Sequence, residues 1–121
     1  MHTIAAIKDA GLKSAIIIAF NTKKPTVEGR TEILWGSIET KGLLEVAEET
    51  GIEKTLIDVT DVTDPGPAVK AIYLVKKEFG LPAGSGANNA METWLRRKKL
   101  DSTTYLASNA VAQSIPIMMG G

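Results

Sequence analysis

Three stretches of the chain repeat one hydrophobic and polar pattern. In each, a charged segment ends at a glycine, a Leu or Ile follows, and an apolar run begins within a few residues. The glycines are Gly11, Gly51 and Gly80. A glycine just past a helix takes up the left-handed backbone conformation at little cost, so the pattern predicts a helix–glycine–strand unit used three times. The strands are expected near residues 15–20, 55–59 and 82–85.

The pattern within these units favours a parallel sheet covered by helices. One stripe recurs with the 3.6-residue period of a helix: Ala68, Ala71, Ile72, Val75 and Phe79. Pro65 and Pro67 stand where the first turn of a helix tolerates proline. Residues 15–20 are apolar throughout, which is typical of a strand covered by protein on both faces. Alternating strands and helices therefore predict a single α/β domain over residues 1–121.

The segment between the first strand and the second helix is less regular. Residues 22–40 contain a polar turn, and Gly29 and Gly36 are expected to break any long helix. We predict a long loop here, with a short helix near residues 31–34. Loops of this length in compact domains are usually functional.

The final part of the chain is predicted to be helical. Residues 91–100 form the first of these helices, and Asp101 begins a polar break that can supply a helix N-cap. Residues 105–119 are apolar and rich in small side chains, which indicates a helix kinked near Pro116. A strand over residues 115–119 is the main alternative.

Composition excludes several classes of function. The chain has no cysteine, so it has no disulfide, thiolate metal site or thiol nucleophile. Its formal net charge is 0, which gives no long-range attraction to nucleic acid. The longest apolar run is far shorter than the roughly 20 residues that cross a bilayer. We therefore expect no nucleic-acid partner and no membrane span, and the carboxylate spacings suit no specific metal.

Polar side chains follow each predicted strand. Asn21 follows the first strand, Asp58 lies in the second, and the third runs into Ser85, Asn88 and Asn89. Ligands of parallel α/β proteins bind outside the carboxyl ends of the strands, so these residues are predicted to share one rim. Asp58 is the most informative of them, because a carboxylate in an apolar run needs partners. The alternative is that Asp58 and Asn21 cap helices or tie loops together.

The stretch from Gly84 to Asn89 is a candidate ligand-binding turn. Gly84 and Gly86 let a ligand approach the backbone closely because they have no Cβ. The amides of Asn88 and Asn89 offer both donors and acceptors. The two glycines could open a dinucleotide fingerprint, but Asn89 stands where its third glycine belongs.

Six stretches, in one order, carry a resemblance to a known family. They are residues 15–21, 25–29, 41–47, 56–59, 79–86 and 105–121. The chain resembles the H subunit family of tetrahydromethanopterin S-methyltransferase, and it is similar to the related methyltetrahydrofolate:corrinoid methyltransferases. The resemblance implies a (βα)8 barrel, which needs about 250 residues. This chain resembles its second half, from the helix before strand five to the helix after strand seven.

The resemblance implies an enzyme that moves a methyl group between N5 of a tetrahydropterin and the cobalt of a corrinoid held by a partner protein. The pterin is tetrahydromethanopterin or tetrahydrofolate. In the family, an Asn that ends a Gly-x-x-Asn turn contacts N5, and it matches Asn89, which is therefore the expected catalytic residue. The family's Asp on strand six binds the polar edge of the pterin and matches Asp58. The expected pocket lining is completed by Gly84, Ser85, Gly86, Asn88 and Asn21.

The resemblance also implies partners and a location. We expect a corrinoid-binding protein or subunit as partner and a cytoplasmic location, which could be peripheral to a membrane methyltransferase complex. Three strands cannot close a barrel, and open sheet edges invite association. A homo-oligomer or a complementary half-barrel is therefore expected. The alternative function is a non-catalytic half-barrel subunit or assembly module without independent activity.

Overall fold

A parallel three-stranded sheet with helices packed against it forms the fold. The computed structural model describes residues 2–121, with side chains from Ile4 onward. The elements in chain order are α1 (His2–Asp9), β1 (Ser14–Ile18), α2 (Val27–Trp35), α3 (Leu43–Glu49), β2 (Lys54–Asp58), α4 (Pro65–Phe79), β3 (Ala83–Gly84), α5 (Ala87–Lys98) and α6 (Ser102–Met118). The strands are parallel and lie in the order β1, β2, β3. The α/β class and the βα repeat are therefore confirmed.

The three glycines have the backbone conformation that the repeat predicts. Gly11, Gly51 and Gly80 have φ angles of 64°, 87° and 65°, all in the left-handed region that follows a helix. α4 begins at Pro65, where Asp64 caps the helix by accepting a hydrogen bond from the Gly66 amide at 2.9 Å. The helix boundaries of the three units therefore follow from local chemistry.

The hydrophobic core lies between the sheet and the helices α2 and α4. Its fully buried side chains include Leu34 of α2, Ile57 of β2, and Ile72 and Val75 of α4. A second, smaller cluster joins α5 to α6 through Met91 and its small neighbours Ala87, Ala90 and Ala112. α5 begins shortly after the carboxyl end of β3, and the Gly86 amide before it donates to Thr60, which follows β2.

The prediction that β1 is covered on both faces is wrong for the described chain. Ile17 packs against the core, whereas Ile16 and Ile18 are 66% and 64% exposed. Leu56, which is paired with Ile16, is 41% exposed. Strand side chains alternate between faces, and the helices cover one face only. The other, the open face, carries apolar side chains without a cover.

The prediction that Gly29 breaks a helix is also wrong. α2 is longer than predicted and contains this glycine. A Cβ at Gly29 would lie 1.9 Å from the carbonyl oxygen of Lys24, so glycine here permits the polar turn to pass close to the helix. Gly36 does end α2, with a φ angle of 84°.

The last two helices differ from prediction in their boundaries. α5 begins at Ala87 rather than near residue 91, because Ala87 and Ala90 pack with Met91 against α6. Asn88 and Asn89 therefore lie in a first helical turn and not in a loop. α6 runs as a helix through Pro116, with Asp101 as its N-cap, so the alternative of a strand over residues 115–119 is wrong.

Two classes of site have no counterpart among residues 2–121. No helix of this range has the length and apolar character needed to span a bilayer. Among the side chains of residues 4–121, no group of three or more His, Cys, Asp or Glu is placed to hold a metal ion.

Candidate functional site

Asp58 lies on the open face at the carboxyl end of β2. The strand register pairs it with Ile18 of β1 on one side and with Gly84 of β3 on the other. Asp58 is half-buried. Because it alternates with the core residue Ile57, its side chain emerges on the face that the helices leave uncovered.

The two oxygens of the Asp58 carboxylate have different roles. Oδ1 accepts hydrogen bonds from the Thr60 amide at 2.8 Å and from the Thr60 hydroxyl at 2.5 Å. Within the described part of the chain, no group donates to Oδ2. The interpretation that Asp58 ties a loop together is therefore correct for Oδ1. The lone pairs of Oδ2 are therefore not used within the described part of the chain.

Thr60 connects Asp58 to the start of α5. Its hydroxyl oxygen accepts a hydrogen bond from the Gly86 amide at 2.7 Å. Gly86 precedes α5 and has no side chain with which to cap it. Thr60 was not among the predicted site residues, because the bond to Gly86 joins residues 26 positions apart.

A sequence repeat could have drawn attention to Thr60. Asp-Val-Thr occurs twice in succession, over residues 58–60 and 61–63. In the second unit Asp61 Oδ1 accepts from the amide and the hydroxyl of Thr63, at 2.8 and 2.7 Å. The two units thus form the same turn, in which an Asp accepts from the residue two positions on.

The two Asp-Val-Thr units differ at the second carboxylate oxygen. Asp61 Oδ2 accepts from the Arg30 guanidinium at 2.8 Å. The Arg30 side chain is fully buried, and it lies over the Phe20 ring at 5.5 Å from the centroid. Both oxygens of Asp61 are therefore used within the protein, whereas Asp58 keeps one free of described partners.

The Arg30–Asp61 pair fixes the loop that follows β2. Burial raises the pKa of the Asp61 carboxyl, but hydrogen bonds from Thr63, Asp64 and Arg30 outweigh it and lower the pKa to about 2. Asp61 is therefore ionised at neutral pH. No pattern in the sequence distinguished Arg30 from the exposed basic residues of the chain.

A small cavity lies beside Asp58. It has a volume of about 200 Å³, and it is lined by Ile16, Leu56, Ile57, Asp58, Gly84, Ser85 and Gly86. The Ser85 hydroxyl oxygen is buried and has no hydrogen-bond partner among the described residues. A Cβ built on Gly84 would meet no atom within 4 Å. Four of the predicted site residues thus lie together at this cavity: Asp58, Gly84, Ser85 and Gly86. Two of their polar groups, Asp58 Oδ2 and the Ser85 hydroxyl, have no partner among the described residues.

Asn89 lies next to this cavity, but its side chain does not line it. Asn88 and Asn89 are both exposed in the first turn of α5. The Asn89 side-chain nitrogen lies 3.0 Å from the position that a Cβ of Gly86 would occupy. The Asn89 amide therefore rests against Gly86, a lining residue, whereas Asn88 makes no described contact with the cavity.

Asn21 is placed apart from the other predicted site residues. Its Oδ1 accepts hydrogen bonds from the amides of Lys23 and Lys24, at 3.0 and 3.1 Å. It lines a different surface depression, which Glu32 and Gly36 also line. The described contacts favour a loop-tying role for Asn21, and its role in a pocket stays a prediction.

An apolar groove between α4, α5 and α6 is larger than the cavity beside Asp58. Its volume is about 450 Å³, and it is lined by Pro65, Gly66, Val69, Met91, Trp94, Ala107, Ser108, Val111, Ala112 and Ile115. None of these side chains can ionise at neutral pH. The groove therefore offers apolar surface but no acid or base.

Comparison with known proteins identifies the family. The family model described as tetrahydromethanopterin S-methyltransferase MtrH subunit matches residues 2–121. The H subunit of this enzyme from Methanosarcina barkeri is 38% identical over 105 residues, covering 83% of this chain and 33% of the relative. The H subunit from Methanothermobacter marburgensis is 41% identical over 129 aligned residues, covering 98% of this chain and 41% of the relative.

A further relative, the H subunit from Methanosarcina mazei, is 34% identical over 125 aligned residues, covering 91% of this chain and 40% of the relative. The chain therefore spans about a third to two fifths of the length of the curated relatives that it matches. The resemblance drawn from the sequence is confirmed. The chain belongs to the family of the H subunit of tetrahydromethanopterin S-methyltransferase.

Proposed function

We propose that this chain forms the pterin-binding edge of a methyltransferase that moves the methyl group of methyl-tetrahydromethanopterin from N5 to a corrinoid held by a partner subunit. The observation that carries the proposal is the open carboxylate oxygen of Asp58, which lies beside Gly84 and the unpartnered Ser85 hydroxyl. The names of the curated relatives favour tetrahydromethanopterin over tetrahydrofolate as the methyl carrier.

The groups around Asp58 suit the polar edge of a pterin ring. That edge presents an amide N–H and an amino group side by side, and a carboxylate oxygen accepts from both kinds of donor. The Ser85 hydroxyl can donate to a ring oxygen or accept from a ring nitrogen. Gly84 places no side chain over the sheet, so a flat ring can approach the open face beside Asp58.

Asn89 is the proposed contact to N5. An amine leaves poorly unless its nitrogen is protonated or strongly hydrogen-bonded, so a donor that bonds more strongly as charge develops lowers the barrier. Removing one preorganised donor of this kind costs about 3 kcal/mol of transition-state stabilisation. The corrinoid supplies a nucleophilic cobalt that accepts the methyl group. In this proposal the residues of the chain bind and orient the pterin and support N5.

The open face favours a larger assembly around this site. Ile16, Ile18 and Leu56 are all more than 40% exposed on that face, and the relatives are at least twice as long as the chain. We propose that β1, β2 and β3 are adjacent strands of a (βα)8 barrel, whose further strands cover these side chains. A second copy of the chain could supply the same cover. This arrangement completes the pocket, since about 200 Å³ is small for a cofactor site.

The experiment mixes the chain with methyl-tetrahydromethanopterin and free cob(I)alamin, and it follows loss of cob(I)alamin and formation of methylcobalamin. Asn89→Ala should lower the transfer rate about 100-fold, with a much smaller change in pterin affinity. Asn109→Ala on α6 is the matched control and should change neither. Equal losses of rate and affinity would remove Asn89 from the catalytic role. A stable oligomer of the wild-type chain without pterin affinity would support the non-catalytic alternative.

A further inference from the structure

The hydroxyl of Thr60 sits in a hydrogen-bond chain with a fixed direction. A carboxylate can only accept, so the hydroxyl proton of Thr60 must point at Asp58 Oδ1, 2.5 Å away. The hydroxyl oxygen is then free to accept the Gly86 amide proton at 2.7 Å. The two hydrogen bonds therefore run in one direction, from the Gly86 amide through the Thr60 hydroxyl to the Asp58 carboxylate.

These two bonds connect the two halves of the proposed site. At one end, the bonds from Thr60 hold Oδ1 of Asp58, which leaves Oδ2 as the oxygen offered to a ligand. At the other end, Thr60 holds Gly86, against which the Asn89 side chain rests. A displacement of the Thr60 hydroxyl would change both the direction of the carboxylate and the start of α5.

The second Asp-Val-Thr unit shows that this link is not a consequence of the turn alone. The Thr63 hydroxyl makes the same bond to Asp61 Oδ1 at 2.7 Å, but among the described residues no backbone amide donates to it. Thr63 is exposed, whereas Thr60 is half-buried beside the cavity. The chain thus contains the same local structure twice, once with the link to α5 and once without it.

We propose that Thr60 is a positioning residue for pterin binding, which orients the Asp58 carboxylate and couples it to the helix that carries Asn89. The proposal deepens the proposed function and rests on it. It predicts that the hydroxyl of residue 60, rather than its bulk, determines pterin affinity, because both bonds of the chain pass through that oxygen.

The test compares Thr60→Val with Thr60→Ser and with Thr63→Val. Valine keeps the shape of threonine but removes the hydroxyl, serine keeps the hydroxyl, and Thr63→Val removes the matched bond of the second unit. Affinity is measured by titration with methyl-tetrahydromethanopterin, hydrogen exchange of the Gly86 amide by NMR, and stability by urea unfolding. Thr60→Val should weaken binding about tenfold and speed exchange at Gly86. Thr60→Ser and Thr63→Val should leave both near wild type.

The outcomes separate this proposal from the proposed function. If the wild-type chain binds the pterin and Thr60→Val binds it equally well, the role of Thr60 is overturned and the proposed function stands. If Thr63→Val weakens binding as much as Thr60→Val at equal loss of stability, the effect is structural and the role is again overturned. If the wild-type chain does not bind, the proposed function fails, together with the binding role of Thr60. Hydrogen exchange at the Gly86 amide then still decides whether Thr60 holds the start of α5. If Thr60→Val fails to fold, the same measurements are made on Thr60→Ser.

Discussion

Asp58 of β2 and Gly84 of β3 are direct partners in the parallel ladder, on the face of the sheet that the helices leave uncovered. The space beside the carboxylate is empty of protein, since a Cβ on Gly84 would meet no atom within 4 Å. A methyl group at residue 84 would therefore occupy the space of a ligand beside Asp58 without contacting the rest of the protein. Substitution of Gly84 thus tests binding separately from folding.

Gly84→Ala should therefore weaken pterin binding without destabilising the fold. A glycine in a strand is less favourable than alanine by roughly 0.5–1 kcal/mol, so the free energy of unfolding should stay the same or rise slightly. The added methyl group would occupy space beside Asp58, and we expect a loss of affinity of about tenfold. Urea unfolding and a pterin titration measure the two quantities. An unchanged affinity in a stable Gly84→Ala variant would mean that the ligand does not lie over Gly84.

Ser85→Ala should have opposite effects on stability and on binding. The Ser85 hydroxyl oxygen is buried without a partner, and an unsatisfied buried polar group costs about 1–3 kcal/mol. Its removal should raise the free energy of unfolding of the free chain. A pterin that bonds to this hydroxyl would lose affinity in the variant. Ser114→Ala is a suitable control, because that hydroxyl is exposed and already bonded to the Ala110 carbonyl. Unaltered pterin affinity in Ser85→Ala would exclude the hydroxyl from the site.

The hydrogen bonds that Asp61 accepts from Thr63, Asp64 and Arg30 should make the free energy of unfolding fall in acid. The pKa of Asp61 is about 2 in the folded chain against an ordinary value of 3.8, so below pH 5 the unfolded chain binds the proton first. The stability contributed by the ionised Asp61 carboxylate comes first from its hydrogen bonds with Thr63, then from those with Asp64 and Arg30; it is complete above that range and is lost progressively as the pH falls towards 2. Its full size is roughly 2 kcal/mol.

Unfolding of wild type and Asp61→Asn between pH 2 and 7 measures this contribution. The variant leaves the fully buried Arg30 without its counter-charge, which should cost about 3 kcal/mol at neutral pH, and its stability should depend less on pH. Glu39→Gln, an exposed position, serves as the control and should follow wild type. Parallel pH profiles for Asp61→Asn and wild type would show that Asp61 is not the group responsible.

The repeat of helix, glycine and strand was predictable because its causes are local. Gly11, Gly51 and Gly80 end their helices through backbone conformation alone, and the residues that follow are apolar enough to form strands. The error at Gly29 had a different origin. Gly29 has no side chain, which lets the Lys24 carbonyl approach α2 closely. The sequence alone does not distinguish a glycine with this role from one that ends a helix.

The candidate site was predictable only in part, because some of its residues are defined by contacts with distant parts of the chain. Asp58 stood out as a carboxylate in an apolar run, whereas its pairing with Gly84 depends on the register of β2 and β3. Thr60 and Arg30 did not stand out, because their roles depend on partners 26 and 31 residues away. The open face of β1 was missed because an apolar strand has the same sequence whether its second face is covered within the chain or by another one.

The most direct test of pterin binding at Asp58 is an NMR titration of the isotopically labelled chain with methyl-tetrahydromethanopterin, which locates the bound ligand residue by residue. Pterin binding at Asp58 should give saturable shifts at the amides of Val59, Ser85, Gly86 and Asn89, and these shifts should be lost in Asp58→Asn at the same ligand concentration. Shifts confined to the apolar groove, at Met91, Trp94 and Val111, or equal shifts in wild type and Asp58→Asn, would contradict it.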